Sequence, residues 1–599
     1  MRAYINGKPF DFNEELTILQ AARRVGAYIP TLCAFQPLNH TPGTCGVCLV
    51  DVERADGEKL SITSCKNRLE DGMKVNTSSP YVRKIQREQV ELLFADHEQD
   101  CVTCPRYGNC ELLMLARSLG VHQAAYTGKF TAKRRLDLSD KALRLDANKC
   151  IRCFRCVEVC KQVQHCNALK IDGIGAESGV ALCGADRWID SDRCVRCGQC
   201  TLVCPTGALA EIDQIDEALE YLENPNVISV VQFAPAVRAT LGEAFGMPAG
   251  TNVEGKLITA IKKLGADYVL DTNFAADVTI MEEGTELLER LKDKSQKGPM
   301  FTSCCPAWVN WVEQHRPSFI PHLSTTRSPQ GIMSSLAKNW LPEKIDANPV
   351  RIKVISIMPC TAKKVEAARP QLGDGSLRDT DVVLTVREFS RLLKGRGIDL
   401  NDLEESKFDT PFMSEGTGAA VIFGRSGGVA EAALRTLYAL CNGHELSGGV
   451  PWHRSEHPNM DREVEVELNG IGKVKVGVLY GLANAEAVVK EVEEGNCDYD
   501  FIEVMSCPGG CVNGGGTPRV MGNYFNRNVP RTRTLDNCDR MLEIRQSHNN
   551  PMVKAVYDEF LGTPNSRRAH RLLHTEYNDR SKAHEEPDIR AIWKKIQLA

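Results

Sequence analysis

The sequence predicts a multidomain chain of α+β and α/β units, and three observations carry that reading. Its 599 residues exceed what a single hydrophobic core organises. Of its 25 cysteines, 17 fall within the first 204 residues, mostly two or three residues apart, so the front third consists of small cysteine-rich units. Beyond residue 213, apolar runs at 227–233, 353–358, 473–480 and 501–505 alternate with helical stretches, the pattern of an α/β domain. A composition 42% hydrophobic, 25% charged and 6% aromatic excludes a disordered chain, a collagen-like fibre or a coiled coil. With 73 basic against 78 acidic residues the net charge is -5, so no global basic field marks the chain for nucleic acid or an anionic membrane. The start MRAYINGKPF lacks a signal-peptide pattern, and no apolar stretch approaches ~18 residues. The expectation is a cytoplasmic protein with no direct membrane span. In that setting thiols stay reduced, and closely spaced cysteines bind metal rather than pair.

Residues 1–80 read as a β-grasp unit, with short strands at 4–5 and 49–52, a turn at Asn6-Gly7 and a crossing helix at 18–24. Cys33, Cys45, Cys48 and Cys65 follow C-x11-C-x2-C-x16-C, and Gly43 and Gly46 allow the backbone to wrap an inorganic core. Four thiolates suit one 2Fe-2S cluster, with zinc as the competing occupant. Residues 81–129 follow with a helix at 82–94 and then His97-x3-Cys101-x2-Cys104-x5-Cys110. One imidazole with three thiolates suits zinc as well as iron. Residues 130–212 hold Cys150, Cys153, Cys156 and Cys160, then Cys194, Cys197, Cys200 and Cys204 before Pro205, a two-cluster 4Fe-4S ferredoxin repeat of the bacterial type. The fourth cysteine of each run ligates the other cluster, so Cys204 joins the first three and Cys160 joins Cys194, Cys197 and Cys200. Cys166 and Cys183, in the insert between the runs, are unassigned.

Clusters in series only carry electrons, so the chemistry belongs to residues 213–599. A helix at 214–223 opens this region, and a helical element over about 540–599 closes it, with its histidines read as surface or capping residues and its last ~20 residues as a solvated tail. Two strands run directly into cysteine loops, Met358-Pro359-Cys360 and Met505-Ser506-Cys507, and Thr302-Ser303-Cys304-Cys305-Pro306 forms a third. In α/β sheets ligands gather at the carboxyl ends of strands. Cys441, Cys497 and Cys538 stand alone and read as packing residues.

These loops carry TSCCP, MPCxxKxxE and ExMxCxGGCxxGGG, which resemble the three signatures of the iron-only (FeFe) hydrogenases. The spacing at the front resembles the same family and the large iron-sulfur subunit of respiratory complex I. The resemblance covers essentially the whole chain and implies that the His97 set holds a 4Fe-4S cluster, making three accessory 4Fe-4S clusters in all. It also implies an active-site H-cluster, a 4Fe-4S unit joined to a diiron unit bearing CO, cyanide and an azadithiolate. By resemblance Cys305, Cys360, Cys507 and Cys511 ligate it, with Cys511 as the bridge. Lys363 is then a fixed cation for a cyanide ligand, and Pro235 and Ala236 pack on the cyanide side. Phe423 lies near the diiron unit; Met358 and Met505 flank the site, or are ordinary core methionines. Ala236 and Ala307 stand where some relatives carry serine and glycine.

Cys304 has no place among the cluster ligands, and the resemblance makes it a proton carrier, followed by Glu283, Ser324, Glu286 and Arg290. On residues alone, Glu283, Glu286 and Arg290 share one helical face and read first as a solvated acidic stripe paired with Arg290; the resemblance turns that reading towards a relay. The implied activity is reversible reduction of protons to H2. A sensor or scaffold protein of the same fold is the first rival, disfavoured by Cys304, Lys363 and the paired glutamates. A complex I-like electron carrier is the second, and leaves the three loops unexplained. Implied partners are H2 and protons, maturation proteins, and either ferredoxin or a flavin- and NAD(P)-binding hydrogenase subunit. No nucleotide-binding glycine fingerprint is present, so any NAD(P) chemistry belongs to another polypeptide.

Overall fold

In the computed structural model, helix Ile18–Arg24 begins at a capping box, in which Gln20 N donates to Thr17 Oγ1 (3.2 Å) and Thr17 N donates to Gln20 Oε1 (2.9 Å). The helix buries Ile18, Leu19, Ala21 and Ala22 against a five-stranded sheet in the order Lys8–Asp11, Arg2–Ile5, Lys74–Asn76, Leu49–Glu53, Lys59–Thr63. Only the pair Arg2–Ile5 and Lys74–Asn76 is parallel. Helices Pro80–Ala95 and Glu111–Leu119 pack against the loop carrying Cys33 and Cys45, and Ile151 and Cys153 of the ferredoxin-like repeat complete that core. The repeat itself has two short helices, Arg155–Gln162 and Gln199–Val203, and a hairpin, Leu169–Asp172 with Gly179–Leu182, in its insert. Its far side shares one core with Trp308, Trp311 and Phe319 of the following region. The structure describes all residues except 124–125, 127–135, 294, 296–297, 374, 376, 447–448, 520–523, 525–527 and 582–599. The boundary expected at 129/130 and nearly all of the tail lie outside the described residues.

Beyond residue 213 the described residues form two sheets. One is wholly parallel, in the order Tyr268–Asp271, Ile228–Phe233, Ile352–Met358, Val382–Thr385. The other runs Met300–Phe301, Phe501–Met505, Gly472–Tyr480, Arg462–Leu468, His453–Arg454, parallel over its first three strands. The central strands Ile228–Phe233, Ile352–Met358 and Phe501–Met505 are buried almost throughout, as expected for strands covered on both faces. Helix Thr272–Lys292, capped by Asp271 accepting from Asn273 N (3.0 Å), packs against Pro329–Asn339 and Gly428–Asn442. Beyond residue 528 come Asn528–Met541, Pro551–Val556 and Arg567–Leu573, the last lying on Pro329–Asn339. Among the described residues no helix is long and apolar enough to cross a membrane.

Candidate active site

The parallel strands of both sheets deliver their carboxyl ends to one place. Phe233 leads to Ala234-Pro235-Ala236, Met358 to Pro359-Cys360, Met505 to Ser506-Cys507, and Phe301 through Thr302 to Cys304-Cys305. Between them lies a cavity of about 810 Å³ including its open mouth, lined by Cys305, Cys360, Cys507 and Cys511 together with Cys304, Pro235, Ala236, Met358, Lys363, Phe423 and Met505. The wall is mostly apolar. Burial pushes the Cys360 thiol up to about 12, and the charges of neighbouring thiols add to the upward push on Cys507 and Cys511. Cys360, Cys507 and Cys511, so placed, ionise only against compensating cations, which the irons of a cluster supply. Gly510 has φ +98°, and a Cβ there would meet the Arg425–Ser426 backbone, so the turn into Cys511 requires glycine. Among the cavity contacts, Gln199 Nε2 donates to Cys507 Sγ (3.1 Å), and Lys363 Nζ lies 2.6 Å from both Ser328 Oγ and Glu366 Oε2. Lys363 is therefore held in place, and it shares its charge with a carboxylate, which sequence reasoning did not anticipate.

From Cys304 a line of polar groups leads outward. Glu283 is 1% exposed, neither of its oxygens has a hydrogen-bond partner, and burial, reinforced by the charge of Glu286, raises its carboxyl to about 8. The Ser324 hydroxyl faces Glu283 and donates to Glu286 Oε2 (2.8 Å). Glu286 also accepts from Thr325 N (3.0 Å) and from Arg290 Nη2 (3.1 Å), and Arg290 reaches the rim, donating to the Pro321 and Leu323 carbonyls. Burial also pushes the Cys304 thiol well up, with the Glu283 charge the next contribution. The two glutamates are buried, which corrects the alternative of a solvated acidic stripe: neighbouring helices enclose this face of Thr272–Lys292.

The terminal histidines need a second correction. His570 is exposed, but His574 is buried, with Nε2 3.0 Å from Glu282 Oε2 and Nδ1 2.8 Å from Thr325 Oγ1. Glu282 points away from Glu283, Ser324 and Glu286 and finds Tyr557, His574 and Asn565 N as partners, so the buried acid draws the histidine inward. Tyr577, also missed, donates to the Ser324 carbonyl (2.9 Å). Cys441, Cys497 and Cys538 are partly buried against apolar neighbours.

The front-half cysteines also assemble into sets. Cys33, Cys45, Cys48 and Cys65 are buried in mutual contact. Burial pulls His97 down to about 4, so its ring is neutral, and its Nδ1 lacks a partner among the described residues; Lys149 and Asp100 face both His97 and Cys104, and Cys104 in turn faces Cys101 and Cys110. Cys150, Cys153, Cys156 and Cys204 line one cavity; Cys160, Cys194, Cys197 and Cys200 line the next, where Cys166 joins them. Both ligand loops turn through the left-handed region at the same places, Arg152 and Phe154 in the first, Arg196 and Gly198 in the second. Three of these are not glycine, a backbone strain typical of loops that aim amides at a bound group. Cys197 also lines the catalytic cavity, and a Cβ on Gly515 would collide with its carbonyl.

Residues 227–515 match the family described as iron only hydrogenase large subunit, C-terminal domain, and 527–580 match iron hydrogenase small subunit. Residues 1–80 match a 2Fe-2S cluster binding domain, 86–124 the iron-sulfur binding region of NADH-ubiquinone oxidoreductase-G, and 187–210 a 4Fe-4S binding domain. The chain is 40% identical to NADP-reducing hydrogenase subunit HndD of Solidesulfovibrio fructosivorans, covering 96% of this chain and 99% of that one. It is 39% identical to iron hydrogenase 1 of Clostridium pasteurianum, with the same coverage. Among solved structures, a variant of an apo FeFe hydrogenase from Chlamydomonas reinhardtii aligns over 61% of this chain and 99% of its own, at 36% identity and TM-score 0.55. Matched over nearly its whole length by such relatives, and with the cysteines of all three signature loops converging on one cavity, the chain belongs to the iron-only (FeFe) hydrogenases, enzymes of H2 redox catalysis fed by an iron-sulfur relay.

Proposed function

We propose that Cys305, Cys360, Cys507 and Cys511 hold the H-cluster, and that the convergence of these four thiols on one largely apolar cavity is the observation that carries the assignment. When bound, the diiron unit supplies an open iron position for the interconversion of protons, electrons and H2. The chain's own residues do the rest. Met358, Met505, Phe423, Pro235 and Ala236 keep bulk water from the cavity, and Lys363, braced by Ser328 and Glu366, presents a cation to its anionic ligands. Cys304 passes a proton at Sγ to or from the buried carboxyl of Glu283; Ser324 and Glu286 continue the transfer, and Arg290, paired with Glu286, orients its outer end towards the surface while keeping its own proton. A carboxyl titrating near 8 can both hold and release a proton under physiological conditions.

Electrons pass through one 2Fe-2S cluster on Cys33, Cys45, Cys48 and Cys65 in the unit 1–80, and a 4Fe-4S cluster on His97, Cys101, Cys104 and Cys110 in 81–129. Two further 4Fe-4S clusters follow in 130–212, the last next to the H-cluster because Cys197 lines both cavities. The physiological partner is a flavin- and NAD(P)-binding subunit. The name of the relative as a subunit of an NADP-reducing hydrogenase supports this, as does the absence of a nucleotide fingerprint here. Ferredoxin is the alternative donor, and maturation proteins insert the diiron unit. The deciding experiment is anaerobic H2 evolution from reduced methyl viologen by protein reconstituted with iron, sulfide and the diiron cofactor, beside Cys304→Ala. Rapid turnover that collapses in the variant supports the assignment. Infrared bands of bound CO and cyanide without turnover would favour a sensor.

A further inference from the structure

Arg106 lies between two of the proposed cluster sites and has no adequate partner among the described residues. It is 2% exposed, and its Nε and Nη1 have no hydrogen-bond partner. Its nearest carboxylate, Glu111, approaches Nη2 only to 4.0 Å, and that carboxylate is already engaged by Arg155 Nη1 at 3.0 and 3.2 Å. The other buried cations nearby are balanced. Lys149 meets Asp100 at 2.7 Å and Asp146 at 2.9 Å, and Arg387 and Arg391 share Glu211, with Asp213 also on Arg391. Arg519, the remaining neighbour, adds positive charge, since it faces Arg106, Arg387, Glu211 and Cys204. An unpaired guanidinium at this depth is costly, and guanidinium does not shed its proton. Besides Glu111, Arg106 faces the sulfurs of Cys204 and Cys110. The two sites meet here: Glu111 N donates to the Pro205 carbonyl at 3.0 Å, and a Cβ on Gly207 would strike Cys104 Sγ.

We infer that Arg106 is a shared counter-ion for two clusters, the one held by His97, Cys101, Cys104 and Cys110 and the one held by Cys150, Cys153, Cys156 and Cys204. The inference rests on those ligand assignments. Reduction adds a negative charge to a cluster, and a fixed buried cation favours the reduced form of both, while the unpartnered Nε and Nη1 would be free to donate to the sulfides of the bound clusters. Arg106 is thus a positioning and tuning residue that keeps two successive relay stations at similar potentials.

The test is an EPR-monitored redox titration of the full-length reconstituted chain and of its Arg106→Gln and Arg106→Lys variants, with iron content measured on each. In Arg106→Gln, the signals of these two 4Fe-4S clusters, and not that of the third accessory 4Fe-4S cluster, should show a reduced-to-oxidised ratio about tenfold lower at the wild-type midpoint, equivalent to about 59 mV for a one-electron couple. In Arg106→Lys, which keeps the charge, the ratio should stay within a few-fold of wild type, and the 2Fe-2S midpoint should not move in either variant. Unshifted 4Fe-4S midpoints in a fully loaded Arg106→Gln protein overturn the inference, as does a 2Fe-2S shift of equal size. If Arg106→Gln fails to load, a normally loaded Arg106→Lys with wild-type midpoints supports the charge role, and a lysine variant that also fails overturns it. Absence of the 4Fe-4S signals from the wild type would instead refute the ligand assignments themselves.

Discussion

Substituting Glu283 by glutamine keeps the size and planarity of the side chain and removes its ability to carry a proton. Burial raises this carboxyl from an ordinary 4.5 to about 8. At about 1.4 kcal/mol per pH unit, the folded protein prefers the neutral form by roughly 5 kcal/mol. The folded value lies above the unfolded one, so the stability contribution is complete below pH 4.5 and is lost as pH rises through 8. Roughly 3 kcal/mol of it is gone by pH 7. The amide does not titrate. Relative to wild type, Glu283→Gln should therefore gain stability steadily between pH 5 and pH 8, by roughly 3–4 kcal/mol over that range, apart from a pH-independent offset. Over the same range its H2 evolution should fall by about 10²–10⁴ fold, the usual worth of a proton carrier. Thermal unfolding midpoints of both proteins at pH 5 and pH 8 read the first effect; viologen-driven H2 evolution reads the second. Infrared difference spectra of wild type minus variant should show a protonated carboxyl at pH 6 that disappears above pH 8. A stability difference independent of pH, no carboxyl band at pH 6, or variant activity within twofold of wild type would refute the relay reading.

Cys304→Ala should cut turnover by about 10²–10⁴ fold while the infrared bands of the loaded site persist, because its thiol is outside the cluster ligand set. Ser324→Ala removes the hydroxyl that donates to buried Glu286 at 2.8 Å; two donors remain on that carboxylate, so we expect about 1 kcal/mol of lost stability and a smaller activity loss than for Glu283→Gln. Cys200→Ser should eliminate one 4Fe-4S EPR signal and abolish activity through a physiological donor that enters at the front, while leaving part of the activity with a small dye able to reach the catalytic domain. Phe423→Ala, at a position 6% exposed on the cavity wall, should cost about 3–5 kcal/mol by thermal or chemical unfolding.

What could be read from the sequence was whatever is written in short spacings. The strands feeding Cys360 and Cys507 announce themselves as buried runs ending in a cysteine loop, and the crossing helix falls at Ile18–Arg24, as expected. Cys166 was not assignable because spacing says nothing about the insert folding back onto the cavity of Cys160 and Cys194. The left-handed turns at Arg152, Phe154 and Arg196 carry no glycine to signal them. His574 was misplaced because its burial depends on Glu282, 292 residues away in the chain, and no local pattern encodes such a pair. Arg106 likewise reads as an ordinary charged loop residue until Glu111 turns out to be engaged by Arg155.

The distant contacts share one physical purpose. The segment bearing Ser324 has little regular structure of its own, yet its hydroxyl must point at Glu286. Its backbone is fixed by pairing with the end of the chain: Arg327 N donates to the Leu573 carbonyl and Thr575 N to the Thr325 carbonyl, each at 2.8 Å. Tyr577 then holds the Ser324 carbonyl, and His574, anchored on Glu282, holds the Thr325 hydroxyl. These residues lie in the stretch matching the small-subunit family, so the part of the chain with no cysteine ligand is the part that orients the proton line. An acid buried without partners, as Glu283 is, retains its raised titration only while such a frame excludes water from it. The proton line is thus a product of the assembled fold, with thiol and carboxyls supplied by one region and their alignment by another.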